Sequence, residues 1–146
     1  MASFRFKLQQ VLDYRSQLEE QARLHFARAQ HEYEQQERHV AKVRETLAEY
    51  QRKLYECPRG SQHDYWLLEN YVRSLNVDLS SALQSLNLLA QVREGARTEL
   101  VQRAQERKLL EQLKAKQAER HAKEEKLSEQ RTYDETATLR FRPPSF

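Results

Sequence analysis

Glycine is nearly absent from this chain of 146 residues, at positions 60 and 95 only, and proline occurs three times. With so few turn formers there is material for very few elements. Phosphate-binding loops need clustered glycines whose amides approach the phosphates, so two glycines so far apart exclude nucleotide binding of that kind. Cysteine occurs once, at Cys57, which excludes an internal disulfide and fits a reducing compartment. There is no large excess of one charge: 25 basic residues are interspersed with 22 acidic ones, a net charge of +3, so no uniform positive field suited to nucleic acid covers the molecule. No stretch approaches the ~20 apolar residues that cross a bilayer. The opening Phe4-Arg5-Phe6-Lys7 interleaves charge where a signal peptide is unbroken and apolar. The expectation is a cytoplasmic chain that meets a membrane only through partners.

What is present is helix-forming. Phe4 to Tyr55 contains neither glycine nor proline and is dominated by Gln, Glu, Arg, Lys, Ala and Leu. This predicts a helix over 4–55. Its seam runs in steps of three or four through Leu8, Val11, Arg15, Leu18, Ala22, Phe26, Ala29, Tyr33, Gln36, Val40, Val43, Leu47, Tyr50 and Leu54. Two successive four-residue steps, from Leu18 through Ala22 to Phe26, predict a stutter there. Cys57-Pro58-Arg59-Gly60-Ser61 is the one internal cluster of turn formers, so the chain reverses over 57–61, with Ser61 or Asp64 as the next helix cap.

A second helix is predicted over 64–131, with Gly95 tolerated inside it at a cost of ~1 kcal/mol. Leu68, Val72, Leu75, Leu79, Ala82, Leu86 and Leu89 form its seam, continued by Ala96, Leu100, Arg103, Arg107, Leu110, Lys114 and Gln117. The fold class is therefore all-α, two long helices in an antiparallel coiled-coil hairpin. At 1.5 Å per residue the helices would be about 78 and about 100 Å long, leaving the C-terminal one overhanging. The remainder, 132–146, including Pro143 and Pro144, reads as a flexible tail.

The two regions differ in chemistry. From Arg97 to Arg131 charge dominates, whereas near the turn Tyr65, Trp66, Leu67, Tyr71, Val77, Leu83 and Leu88 add more apolar surface than one seam needs. Something beyond the first helix is expected to cover that surplus. Tyr50, Tyr55, Tyr65, Trp66 and Tyr71 crowd the turn, either as packing that closes the hairpin or as a docking patch of aromatic anchors.

Catalytic groupings do not assemble. His31-Glu32 has the start of a helical zinc motif, but position 35, where the second histidine belongs, is Gln35. His25, His31 and His39 fall on different helical faces. Cys57 lacks a base and an oxyanion pocket, and adjacent carboxylates such as Glu19-Glu20 and Glu124-Glu125 diverge on a helix. The expectation is no enzyme, no cofactor and no metal. Glu106, Glu111 and Glu119 interrupt the basic surface of Arg103, Arg107, Lys108, Lys114 and Lys116, which disfavours nucleic acid. Function then falls to protein binding. A generic scaffold or dimerisation module is the alternative to a dedicated adaptor, and self-association would favour the scaffold.

Several segments together resemble the flagellar export protein FliJ family: the aromatic-basic start Phe4-Arg5-Phe6-Lys7-Leu8-Gln9-Gln10-Val11-Leu12-Asp13-Tyr14-Arg15 with Glu19-Glu20, the stretch Glu106-Arg107-Lys108-Leu109-Leu110-Glu111-Gln112-Leu113-Lys114, and Tyr133-Asp134-Glu135-Thr136-Ala137 with Arg140. The ending departs from the family, with Pro143-Pro144 where a basic tail is often seen. The resemblance implies a coiled-coil stalk, similar to the γ subunit of rotary ATPases, that inserts into the hexameric export ATPase ring, engages the cytoplasmic domain of the export gate and escorts empty export chaperones. It implies ring contacts at Leu8, Val11, Leu12, Arg107, Leu110 and Leu113, and gate contacts at Val43, Tyr50, Tyr71 and Leu75. A monomer when free and a peripheral position at the cytoplasmic face of the membrane are further expectations from it.

Overall fold

The computed structural model describes residues 3–60, 62–141 and 143. Two helices account for nearly all of them: α1, Gln9–Tyr55, and α2, Gln62–Arg140. No strand occurs among the described residues. The fold is the all-α helical hairpin expected from the sequence, and it comprises two compact units. A terminal unit contains 1–19 and 103–146; a turn-side unit contains 20–102.

Heptad spacing governs burial on both helices. On α1 the buried or half-buried seam is Leu12, Arg15, Glu19, Ala22, Phe26, Ala29, Tyr33, Gln36, Val40, Val43, Leu47, Tyr50 and Leu54, alternating steps of three and four without interruption. The expected stutter is absent. An apolar reading places Val11 and Leu18 in the seam, but the seam positions are Leu12 and the carboxylate Glu19, while Val11 is exposed and Leu18 is a half-buried flank. On α2 the same alternation runs through Leu68, Val72, Leu75, Leu79, Ala82, Leu86, Leu89, Arg93, Ala96, Leu100, Arg103, Arg107, Leu110, Lys114, Gln117 and His121. Arg93 and His121 are members that the apolar pattern passes over.

Both helix limits differ from expectation at the chain ends. α1 begins at Gln9 rather than at Phe4: residues 3–6 lie outside any helix, with Phe6 buried, Phe4 half-buried and Arg5 between them exposed. Helical backbone would splay those rings. Phe6 is instead buried against Leu12 and Leu110 with Phe4 packed beside it, and its carbonyl accepts the Gln9 N–H at 3.1 Å to start the helix. At the other end α2 runs nine residues past Arg131. Thr132 and Thr138 donate their hydroxyls to the carbonyls four residues earlier, at 2.9 and 2.8 Å, a bond that satisfies threonine within a helix. Arg140 in the last turn complements the helix dipole, and Pro143 disfavours further turns.

At the reversal, Cys57 N–H reaches the Leu54 carbonyl at 3.3 Å and Pro58 ends the helix. Asp64 sits inside the first turn of α2, where its charge suits the dipole, so it is not the cap; Ser61 lies outside the described residues, as do Pro144 and the other tail positions 142, 145 and 146.

Candidate functional site

In the terminal unit the seam is held mainly by charge. Its buried hydrocarbon cluster is small, made of Phe6, Leu12 and Leu110 and supported by Phe4. Glu19 is 6% exposed, and its carboxylate accepts from both Nε and Nη2 of Arg107, the latter at 3.5 Å. Nη1 of the same guanidinium reaches Glu111 at 2.7 Å. Hydrogen bonds to Glu19 first and Glu111 second raise the Arg107 pKa above its ordinary value, outweighing desolvation, so the cation is fixed. Around it Arg15 donates to the Glu106 carbonyl at 3.2 Å, Arg103 meets the Glu106 carboxylate at 3.4 Å, and Lys114 donates to the Gln9 side chain at 2.8 Å. His121 closes the series with its ring tilted 5.7 Å from Phe4.

Of the residues expected to contact an ATPase ring, Leu12 and Leu110 are buried in this seam and Arg107 is engaged within it. Leu8, Val11 and Leu113 remain exposed. Leu109, 65% exposed, lies one turn before Leu113 on the same side of α2. Sequence reasoning left Leu109 out, although its spacing from Leu113 was visible.

Hydrocarbon dominates the turn-side seam. Leu47, Val72 and Leu75 form a buried cluster with Tyr50, Leu54 and Leu79 against it. The residues expected to meet an export gate divide here as well: Leu75 is buried, Val43 and Tyr50 are half-buried, and Tyr71 is 43% exposed. Tyr50 and Tyr71 meet edge to face at 4.5 Å, with the Lys53 ammonium 4.5 Å from the Tyr50 ring. The aromatic cluster thus both packs and presents surface. Tyr55, Tyr65 and Trp66 stay exposed, and Tyr55 and Tyr65 line an open groove of about 660 Å³ together with Cys57, Pro58 and Arg59.

Among the described residues, the polar seam positions Gln36 and Arg93 of this unit have no oppositely charged partner across it, and Arg93 Nε is buried without a hydrogen-bond partner. Gln36 donates to the Ala82 carbonyl at 3.0 Å, and the Arg93 guanidinium lies 4.1 Å from the Tyr33 ring centre. Stacking lets the arginine sit in an apolar seam as a flat, partly hydrophobic plate. Among the described residues no group of histidine, cysteine or carboxylate side chains has the arrangement of a metal site. Exposed residues, grooves and fixed charges are what this surface offers, and they suit macromolecular docking.

A family model described as "Flagellar FliJ protein" matches residues 4–144, which is nearly the whole chain. No curated protein and no solved structure matches it.

Proposed function

The chain belongs to the flagellar FliJ protein family, a component of the flagellar export machinery, and from that premise we propose that it is a non-enzymatic stalk joining the export ATPase ring to the export gate. The terminal unit is the ring-facing part on this reading, and the turn-side unit carries the gate-facing surface. Escort of empty export chaperones is the accompanying activity. The stalk works at the cytoplasmic face of the membrane, held there by its partners; among the described residues no helix is long and apolar enough to cross a bilayer.

One observation carries the reading. In the terminal unit most seam positions are polar or charged, while leucines and a valine stand outside the seam, at Leu8, Val11, Leu109 and Leu113. A unit stabilised for its own sake would bury that hydrocarbon. Exposed apolar residues set among fixed charges are the composition of a docking surface. Leu12, Leu110 and Arg107 then support the surface from beneath, and Tyr50, packed on the cluster that holds Leu75, does the same for Tyr71 at the gate, with Val43 half-buried further along α1.

Adding the purified chain to the flagellar export ATPase is expected to accelerate ATP hydrolysis, with no hydrolysis by the chain alone. Leu109→Asp with Leu113→Asp is expected to abolish the acceleration yet leave co-elution with the gate domain, and Tyr71→Ala to do the reverse. Absence of stimulation together with absence of co-elution with either partner would overturn the proposal.

A further inference from the structure

We propose that the N-terminal segment is a latch with two states: in the free chain Phe4 and Phe6 strap it onto α2 without helix, and on docking the strap lifts and α1 grows back to Phe4. The inference takes its partner, the export ATPase, from the stalk reading and adds to that reading a regulation of the terminal unit. Phe4 to Leu12 contains neither glycine nor proline, and its arginine, lysine, leucines and glutamines are good helix formers. Local preference therefore continues the helix to Phe4. Yet residues 3–6 are not helical, and residues 7–8 form the turn that leads into α1.

Tertiary contact accounts for the difference. Phe6 is 7% exposed, packed with Leu12 and Leu110, and the Phe4 ring tilts against His121 at 5.7 Å. Residues two apart on a helix point about 200° away from each other, so both rings cannot stay on α2 once the segment is helical. Docking and helix formation thus exclude each other, which is the property of a two-state element. The hold is also local. Among the described residues the backbone of 3–6 makes one backbone hydrogen bond, from the Gln9 N–H to the Phe6 carbonyl at 3.1 Å, and Arg5 and Lys7 stay exposed on either side of Phe6. A segment with few buried contacts and solvated backbone opens ahead of the rest. Lys114 grips the Gln9 side chain at 2.8 Å, which places the hinge at 7–8 and keeps α1 seated as the strap lifts.

Spacing sets what the lifted state offers a partner. Helical backbone puts Phe4 four residues before Leu8 and seven before Val11, on one face. Leu8 and Val11 are already exposed, at 39% and 40%. The strap withholds the third member, an aromatic ring. A partner that takes all three binds the lifted state better than the docked one, and that difference in affinity is what shifts the equilibrium.

Two substitutions push the latch in opposite directions. Phe6→Ala removes the anchor, favours helix and keeps Phe4. In the full chain the Cα chemical shifts of residues 4–8 should turn helical, and the concentration giving half-maximal stimulation of the export ATPase should fall by about fivefold as the lifted fraction rises. Lys7→Pro falls at the second position of the turn closed by Phe6 and Gln9, which accepts proline, while it bars helix through Phe6. It should leave the free fold unchanged and raise that concentration by a similar factor. If Phe6 were core and nothing more, Phe6→Ala would weaken docking. Residues 4–8 that stay non-helical in Phe6→Ala, weaker docking by that variant, or unimpaired docking by Lys7→Pro each overturns the latch. Should the unmodified chain fail to stimulate the ATPase at all, the stalk reading falls, and the shifts of residues 4–8 in Phe6→Ala still decide the latch.

Discussion

The two units use one heptad period with opposite chemistry. Between Glu20 and Gln102 the seam is filled by leucine, valine, alanine and aromatic rings, and its polar members are absorbed by a backbone carbonyl or a ring face. Among residues 3–19 and 103–121 the seam is filled by Arg15, Glu19, Arg103, Arg107, Lys114 and Gln117, with hydrocarbon reduced to a small cluster. Hydrocarbon packing is strong but tolerant, since one leucine fits a neighbouring hole almost as well as the next. A buried carboxylate that must find one guanidinium is the reverse: it adds little net stability and penalises every other register. The difference teaches that stability and alignment are supplied by different stretches of the same two helices.

Three substitutions would break or sharpen that contrast. Leu75→Ala, which empties the turn-side cluster, is expected to have the largest effect, about 2–4 kcal/mol of unfolding free energy in urea titrations. Glu19→Ala comes next, because it removes the partner that ties Arg107 to α1 and leaves that cation with Glu111 on its own helix. Hydrogen exchange should then rise over 9–19 and 103–121 while 20–102 keeps its protection; the double change Glu19→Leu with Arg107→Leu should restore protection, since it replaces the ion pair across the seam with hydrocarbon. Equal loss of protection in both units would erase the distinction. The raised Arg107 pKa fixes the sign of any pH effect: its contribution is complete below the ordinary arginine value and is lost only as pH rises through the raised one. Melting temperatures across the neutral range should therefore show nothing from this group. Gly95→Ala is expected to have the smallest effect and the opposite sign, raising stability by up to ~1 kcal/mol, because the added methyl group meets open space.

Hairpin topology and most of α2's seam were legible in the sequence because apolar spacing on a helix reports the buried face directly. Glu19 was not legible, since a search for hydrocarbon passes over a carboxylate and takes Leu18 in its place, which is how an absent stutter came to be expected. Strict alternation, applied without regard to residue type, would have found it, and Arg93 and His121 as well. The helical character of Thr132–Arg140 was hidden by Thr132 and Thr138, whose side-chain hydrogen bonding depends on the helix already being there. The contact residues expected from the sequence mix buried side chains, such as Leu75 and Leu110, with exposed ones, such as Val11 and Tyr71. Periodicity ranks faces; it does not report how far a side chain emerges.

The Phe4–Phe6 segment and the Glu19–Arg107 pair also set the order of events when the chain folds. Tyr50 meets Tyr71 across a short loop, whereas Glu19 and Arg107 are 88 residues apart and Gln9 and Lys114 are 105 apart. Closing the long loops from an unstructured chain costs about 1 kcal/mol more in entropy than closing the short one, and ionic contacts return little toward it. Zipping therefore starts beside Pro58 and reaches the chain termini last, and thermal fluctuations undo it in the opposite sequence. The ends of the chain are thus the part of the hairpin that opens most readily, and its reversal the part that opens least.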